Sequence, residues 1–205
     1  MDALDATRVH AAAAIADELF ACYRRGGTVF IVGNGGSAAT ATHFACDLAK
    51  GTRGDGPPTF KVICPTDSVP LLTAWSNDTD YAGALAAFIE PLIGRGDVLI
   101  GISTSGRSEN VNRAAACAAQ AGATVIALTG SSGNRLERLA HLALCVPCGS
   151  IEQIEDVHSI VSHSLCVALR DRIREFSDPV PIAATMPHTN GHQPGASGVP
   201  NGWRD

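Results

Sequence analysis

The sequence predicts an α/β fold in which a five-stranded parallel sheet carries helices on both faces. Three observations predict it. Five short runs of apolar, β-favouring residues alternate with stretches patterned as helices. Most of these runs are apolar throughout rather than alternating with polar residues, as strands buried on both faces are. Two of them end in loops of Gly, Ser and Thr that lead directly into helices, the strand–loop–helix order of a parallel crossover.

Residues 7–25 open the chain as a helix with Val9, Ala12, Ile15, Leu19 and Tyr23 along one stripe, ended by Gly26 and Gly27. Residues 28–32 are the first strand. Gly33, Asn34, Gly35, Gly36 and Ser37 follow, and with little bulk on their Cβ positions their N–H groups can approach a bound anion. The helix expected at 38–50 starts there, so the loop lies at a helix N-terminus with spare donors and partial positive charge. A glycine turn of this kind closes many βα units for structural reasons alone.

Residues 52–58, rich in Gly and Pro, form a surface loop. A second strand at 60–64, a short helix at 69–75, a polar turn containing Asn77 and Asp78, and a helix at 81–93 come next. The strand at 97–102 repeats the first device: Ser103, Thr104, Ser105, Gly106, Arg107 and Ser108 precede a helix at 109–120. A helix N-cap requires one hydroxyl, whereas four within six residues suit the oxygens of a phosphate monoester. A strand at 124–129, a short helix at 134–140 and a last strand at 142–146 complete the sheet. Residues 151–176 read as one long helix, with Ile154, Val157, Val161, Leu165 and Leu169 at helical spacing. Ligands of such a sheet sit beyond the carboxyl ends of its strands, where both Ser/Gly loops fall. Residues 1–177 make one domain. The Pro, Gly, Asn and Ser of 178–205 point to an extended or disordered tail.

The 205 residues are 45% hydrophobic and 17% charged, which is the composition of a folded domain with a substantial core. A net charge of -5 and the lack of any basic run argue against nucleic acid and anionic membrane as partners. No apolar run approaches the roughly 18 residues of a membrane span, and Met1 to Asp5 lack the basic start of a signal peptide, so a cytoplasmic location is expected. Seven cysteines, mostly in apolar segments, read as reduced thiols; the Cys145–Cys148 pair reads as two incidental thiols at a strand end.

His43 and Asp47 are four apart on the helix after the first glycine loop and share a face. On the final helix Glu155 and His163 are eight apart and again share a face, while His158 need not join them. Two imidazoles and two carboxylates are the groups needed for proton transfer or for a transition metal.

In chain order, Gly-Asn-Gly-Gly-Ser at 33–37, His43-Phe44-Ala45, Asn77-Asp78, Ile102-Ser-Thr-Ser-Gly106 and the His158/His163 helix strongly resemble the sugar isomerase (SIS) domain family. Within it they are closest to the sedoheptulose 7-phosphate isomerases. The resemblance covers about residues 7–176. It implies a flavodoxin-like three-layer sandwich, a homotetramer with active sites at subunit contacts, and an enediol exchange of aldose and ketose. It further implies that Asn34, Gly35, Gly36 and Ser37, with Asn77, Asp78 and Glu155, meet the sugar. Ser103, Thr104, Ser105 and Ser108 would hold the phosphate, and Asp47 and His163 would transfer protons. His43, Asp47, Glu155 and His163 would bind one zinc per subunit. Three residues depart from the family pattern: Asp47 replaces Glu, Glu155 replaces Gln, and Arg107 replaces Asn. A non-catalytic sugar-phosphate sensor or protein scaffold of the same fold, or an isomerase of another phosphosugar, are the competing readings.

Overall fold

The computed structural model describes residues 6–53 and 59–177. The expected tail at 178–205 and part of the 52–58 loop lie outside them. Five strands, β1 (Thr28–Val32), β2 (Lys61–Ile63), β3 (Val98–Ser103), β4 (Thr124–Thr129) and β5 (Leu142–Cys145), pair in parallel in the order β2-β1-β3-β4-β5. Register follows from Val29 against both Val62 and Val98, and from Val98 against Thr124. The chain leaves β1 for β2 on one side and returns to β3 on the other. The order therefore reverses between β1 and β3, and a crevice opens between their carboxyl ends.

Among the described residues seven α-helices flank the sheet: α1 (Ala6–Arg24), α2 (Gly36–Cys46), α3 (Val69–Asp78), α4 (Tyr81–Ile89), α5 (Glu109–Gln120), α6 (Arg135–Leu139) and α7 (Ile151–Ser177). Side chains alternate across each strand. Val29 and Ile31 pack with Ile15, Leu19, Phe44, Leu165 and Leu169 of α1, α2 and α7. Phe30 and Val32 pack on the opposite face with Leu85, Ile89, Val111 and Ala118 of α4 and α5. Phe30 and Phe44 are wholly buried, and each such side chain contributes about 1.5–3 kcal/mol.

Four local differences from the sequence expectations bear on the site. The helix expected at 38–50 is regular only to Cys46 and continues as a single π turn, Asp47–Gly51. The polar turn expected around Asn77 and Asp78 is instead the last turn of α3, because the Thr79 N–H still reaches the Trp75 carbonyl at 3.0 Å. The helix at 81–93 ends at Ile89: Glu90 is still helical at φ -48° and ψ -47°, but Pro91 has no N–H to continue the hydrogen-bond ladder. All seven cysteines are free thiols, but only Cys22, Cys64 and Cys166 are buried and Cys46 is exposed. Among the described residues no helix is long and apolar enough to cross a membrane.

Candidate active site

The glycine loop begins where β1 ends. Gly35 takes φ 53°, a left-handed conformation in which a Cβ is strained, and stands at the N-cap of α2. At Gly36, the first helical residue, a Cβ would collide with the carboxylate of Glu155 from α7. The missing side chain lets that carboxylate settle at the positive end of α2, where it is favoured. Ser37 is buried in the first turn.

Across the crevice, the Ser103 and Ser108 hydroxyls meet at 3.1 Å, and the Ser105 Oγ accepts the Arg107 N–H at 3.2 Å. Thr104 is half-buried between them, and Ser108 is the N-cap of α5 with no side-chain cap bond of its own. Its hydroxyl is thus not committed to capping. The Ser103 and Ser108 hydroxyls lie together at the N-terminus of α5, where spare helix N–H groups favour an anion. Asn77 and Asp78 lie at the exposed end of α3, where Asn77 Nδ2 donates to Asp78 Oδ1 at 3.0 Å.

The titratable group forms where α2 packs against α7. His43 lies in the last turn of α2 and Asp47 one turn on, at the start of the π turn. π turns occur often at functional sites, since the additional residue redirects the side chains around it. His43 Nε2 is 3.4 Å from Asp47 Oδ2 and 3.1 Å from His163 Nε2, which is itself 3.8 Å from the same carboxylate oxygen. The shorter Asp47 therefore reaches both rings. His43 and His163 are exposed and Asp47 is half-buried, so the group opens to solvent. It borders a cleft of about 230 Å³ that Phe44, Ser159 and Ser162 also line. One donor atom from each of His43, Asp47 and His163 lies within 4.8 Å of the others, a set able to hold a metal ion. Glu155, expected to join them, is not in that set; its carboxylate lies beside Gly36.

His158, which by its position on the helix need not join the group, stays apart. It is fully buried, and Nε2 donates to the Thr129 carbonyl at the end of β4 at 3.1 Å. Burial pushes its pKa below the usual histidine value, outweighing the hydrogen bond to Thr129, so the ring is neutral. It fastens α7 to the sheet midway between Glu155 and His163.

Sequence reasoning missed Asn110 and Tyr81. Asn34 Nδ2 donates to Asn110 Oδ1 and Asn110 Nδ2 donates back to Asn34 Oδ1, both at 2.8 Å, while Tyr81 donates its hydroxyl to the same Asn34 oxygen at 2.8 Å. The available signal was an amide on the buried face of α5, alongside Val111 and Ala114.

A family model described as "SIS domain" matches residues 1–130. The phosphoheptose isomerase of Mycobacterium tuberculosis is 42% identical over 161 residues, 78% of this chain and 82% of that protein. A phosphoheptose isomerase structure from Neisseria gonorrhoeae superposes with a TM-score of 0.74 at 31% identity, covering 80% of this chain and 86% of the other. One from Francisella tularensis gives 0.74 at 33% identity, covering 78% and 85%. The family match, the identity to these isomerases and the shared parallel fold together show that the chain belongs to the SIS domain family, in its phosphoheptose isomerase branch.

Proposed function

We propose that the chain is an aldose–ketose isomerase that interconverts sedoheptulose 7-phosphate and D-glycero-heptose 7-phosphate. The observation that carries this reading is the His43–Asp47–His163 group, which α2 and α7 bring together in a chain that also presents an anion loop and a glycine loop. Ser103, Thr104, Ser105 and Ser108 hold the phosphate. The backbone of Asn34, Gly35 and Gly36, with Ser37, Asn77, Asp78 and Glu155, holds the open-chain sugar. A base removes the proton from the carbon next to the carbonyl, and the C–H electrons become the new C=C bond. The carbonyl oxygen gains a proton, giving a cis-enediol. The former carbonyl carbon then takes a proton, while the hydroxyl on the carbon first deprotonated gives its proton up and becomes the new carbonyl, one position along. Asp47 and His163 are the residues that move these protons, through atoms not engaged by an ion at that moment.

The same residues fit zinc, one ion per subunit. Donors around a tetrahedral zinc with bonds of about 2.0–2.2 Å stand roughly 3.3–3.6 Å apart, and the three donor atoms here are 3.1, 3.4 and 3.8 Å apart. His43, Asp47 and His163 would hold the ion, with Glu155 as the proposed fourth donor. When bound it supplies Lewis acidity toward a sugar oxygen.

We further propose a cytoplasmic homotetramer. Helix α3 buries none of its residues, and Val69 and Leu71 on it, like Ile160 and Val167 on α7, are exposed. Light scattering on the purified chain checks the assembly.

The test of function is to incubate purified protein with sedoheptulose 7-phosphate beside other ketose phosphates and follow aldose formation by NMR. Preferred turnover of the heptose supports the reading. Binding without turnover of any of them overturns it in favour of a sugar-phosphate sensor.

A further inference from the structure

The two loops that hold the two ends of the proposed substrate come from different crossovers, yet three side chains tie them together. Asn34 belongs to the glycine loop after β1. Asn110, two residues after Ser108, lies in the first turn of α5 behind the phosphate loop. Their amides exchange two hydrogen bonds, each 2.8 Å. The orientation of the pair is fixed by the backbone. The Val111 N–H donates to Asn110 Oδ1 at 3.0 Å, so that atom must be the oxygen. Asn34 must then present its nitrogen to that oxygen and its own oxygen to Asn110 Nδ2. Tyr81 completes the acceptor capacity of Asn34 Oδ1. Tyr81 is the first residue of α4, three residues beyond Asp78, and follows Asp80, which caps α4 and pairs with Arg113 of α5 at 3.2 Å.

Asn110 is only 3% exposed, although it is an amide on a helix packed against the sheet. Burying it is tolerated because its oxygen accepts twice and its nitrogen donates once. The pair also spans the β1/β3 crevice, the place where the two loops would otherwise move independently.

We propose that Asn110 and Tyr81 are positioning residues that set the distance between the glycine loop and the phosphate loop, through Asn34, so that one sugar phosphate can engage both. The inference rests on the reading that the two loops hold the two ends of one ligand. A ligand touching only one loop is indifferent to their spacing, whereas one touching both is not.

The experiment uses two probes on the full chain: inorganic phosphate, measured as a competitive inhibitor, and sedoheptulose 7-phosphate, measured as substrate. Asn110→Ala removes the amide. Asn110→Asp keeps the two accepted bonds but replaces the donor to Asn34 with a carboxylate oxygen that faces the Asn34 oxygen, in a buried position. Tyr81→Phe removes one hydroxyl from an exposed ring and leaves the fold intact even where Asn110→Ala does not. The expected result is a roughly 10- to 100-fold loss of kcat/KM for the sugar phosphate in Asn110→Ala, with a smaller loss in Tyr81→Phe. The inhibition constant of inorganic phosphate should stay within about twofold of the parent, because each loop remains whole. A phosphate constant that rises in step with the loss of kcat/KM overturns the proposal, because the damage is then local to the serine loop. Unchanged kcat/KM in Asn110→Ala and Tyr81→Phe overturns it as well. A parent chain that neither binds nor converts any sugar phosphate overturns the functional reading itself, whereas an active parent with unaffected variants overturns this inference alone.

Discussion

His43 and His163 meet edge to face across the α2/α7 contact, with ring centroids 5.0 Å apart and Nε2 atoms 3.1 Å apart. Two imidazole nitrogens this close can share one proton or one cation, but two protonated rings would repel. Protein purified without a polyhistidine tag and loaded with zinc should therefore carry about one equivalent per chain by elemental analysis. His43→Ala should weaken metal affinity by at least about tenfold, since loss of even an outer-shell partner costs that much. Less than about a tenth of an equivalent in the loaded parent, with activity intact, would leave plain acid–base catalysis.

Proton transfer should fail without the groups that carry it. Asp47→Asn and His163→Gln should each lower kcat by about 10²–10⁴-fold. Ketose phosphate affinity, measured by calorimetry, should survive. Near-normal turnover in both variants would place the chemistry elsewhere in the chain.

The phosphate loop is testable one hydroxyl at a time. Ser103→Ala, Ser105→Ala and Ser108→Ala should each weaken sugar-phosphate binding by roughly 1.5–3 kcal/mol with little change in melting temperature. Arg107 projects from this loop as an exposed side chain. An Arg107→Asn variant that binds phosphate as tightly as the parent would show that its guanidinium is not a phosphate contact.

Buried His158 makes the fold acid-sensitive. Its pKa is lowered in the native state, so below the ordinary histidine value of about 6.5 the unfolded chain takes up a proton that the folded chain refuses. Its contribution to stability is complete above that value and is lost as pH falls through it. His158→Gln retains a donor for the Thr129 carbonyl, and its urea-unfolding free energy should depend less steeply on pH between about 6.5 and 5 than the parent's. An identical slope in the two proteins would assign the acid sensitivity to other groups.

The sheet was legible in the sequence because most of its strands are apolar nearly throughout. Runs such as Val98–Ser103 can be satisfied only between two layers of helices, and the two Ser/Gly loops mark the strand ends without ambiguity. The His43/Asp47 pairing was legible from a spacing of four. The π turn that begins at Asp47 was not, because backbone hydrogen bonds that skip one residue leave no trace in hydrophobic periodicity. Asn110 was hidden for a related reason. A polar residue among Val111, Ala114 and Ala118 reads as a flaw in an apolar stripe until the partner from a distant loop is known. Glu155 was read toward His163 by helical phase and by resemblance to the family. Its carboxylate lies beside Gly36 because the absence of a Cβ there leaves room at a helix N-terminus.

Helix α3, which buries none of its ten residues, has a thermodynamic consequence. Few buried contacts hold it to the rest of the chain, so its amides belong to the low end of the local opening scale and should be the first helical amides to exchange with deuterium. Whatever covers Val69 and Leu71 stabilises the helix by mass action. If the cover is another subunit, the melting temperature becomes a function of protein concentration. Dilution would then loosen the segment carrying Asn77 and Asp78 while the sheet stays folded, and specific activity would fall with enzyme concentration before any global unfolding is seen.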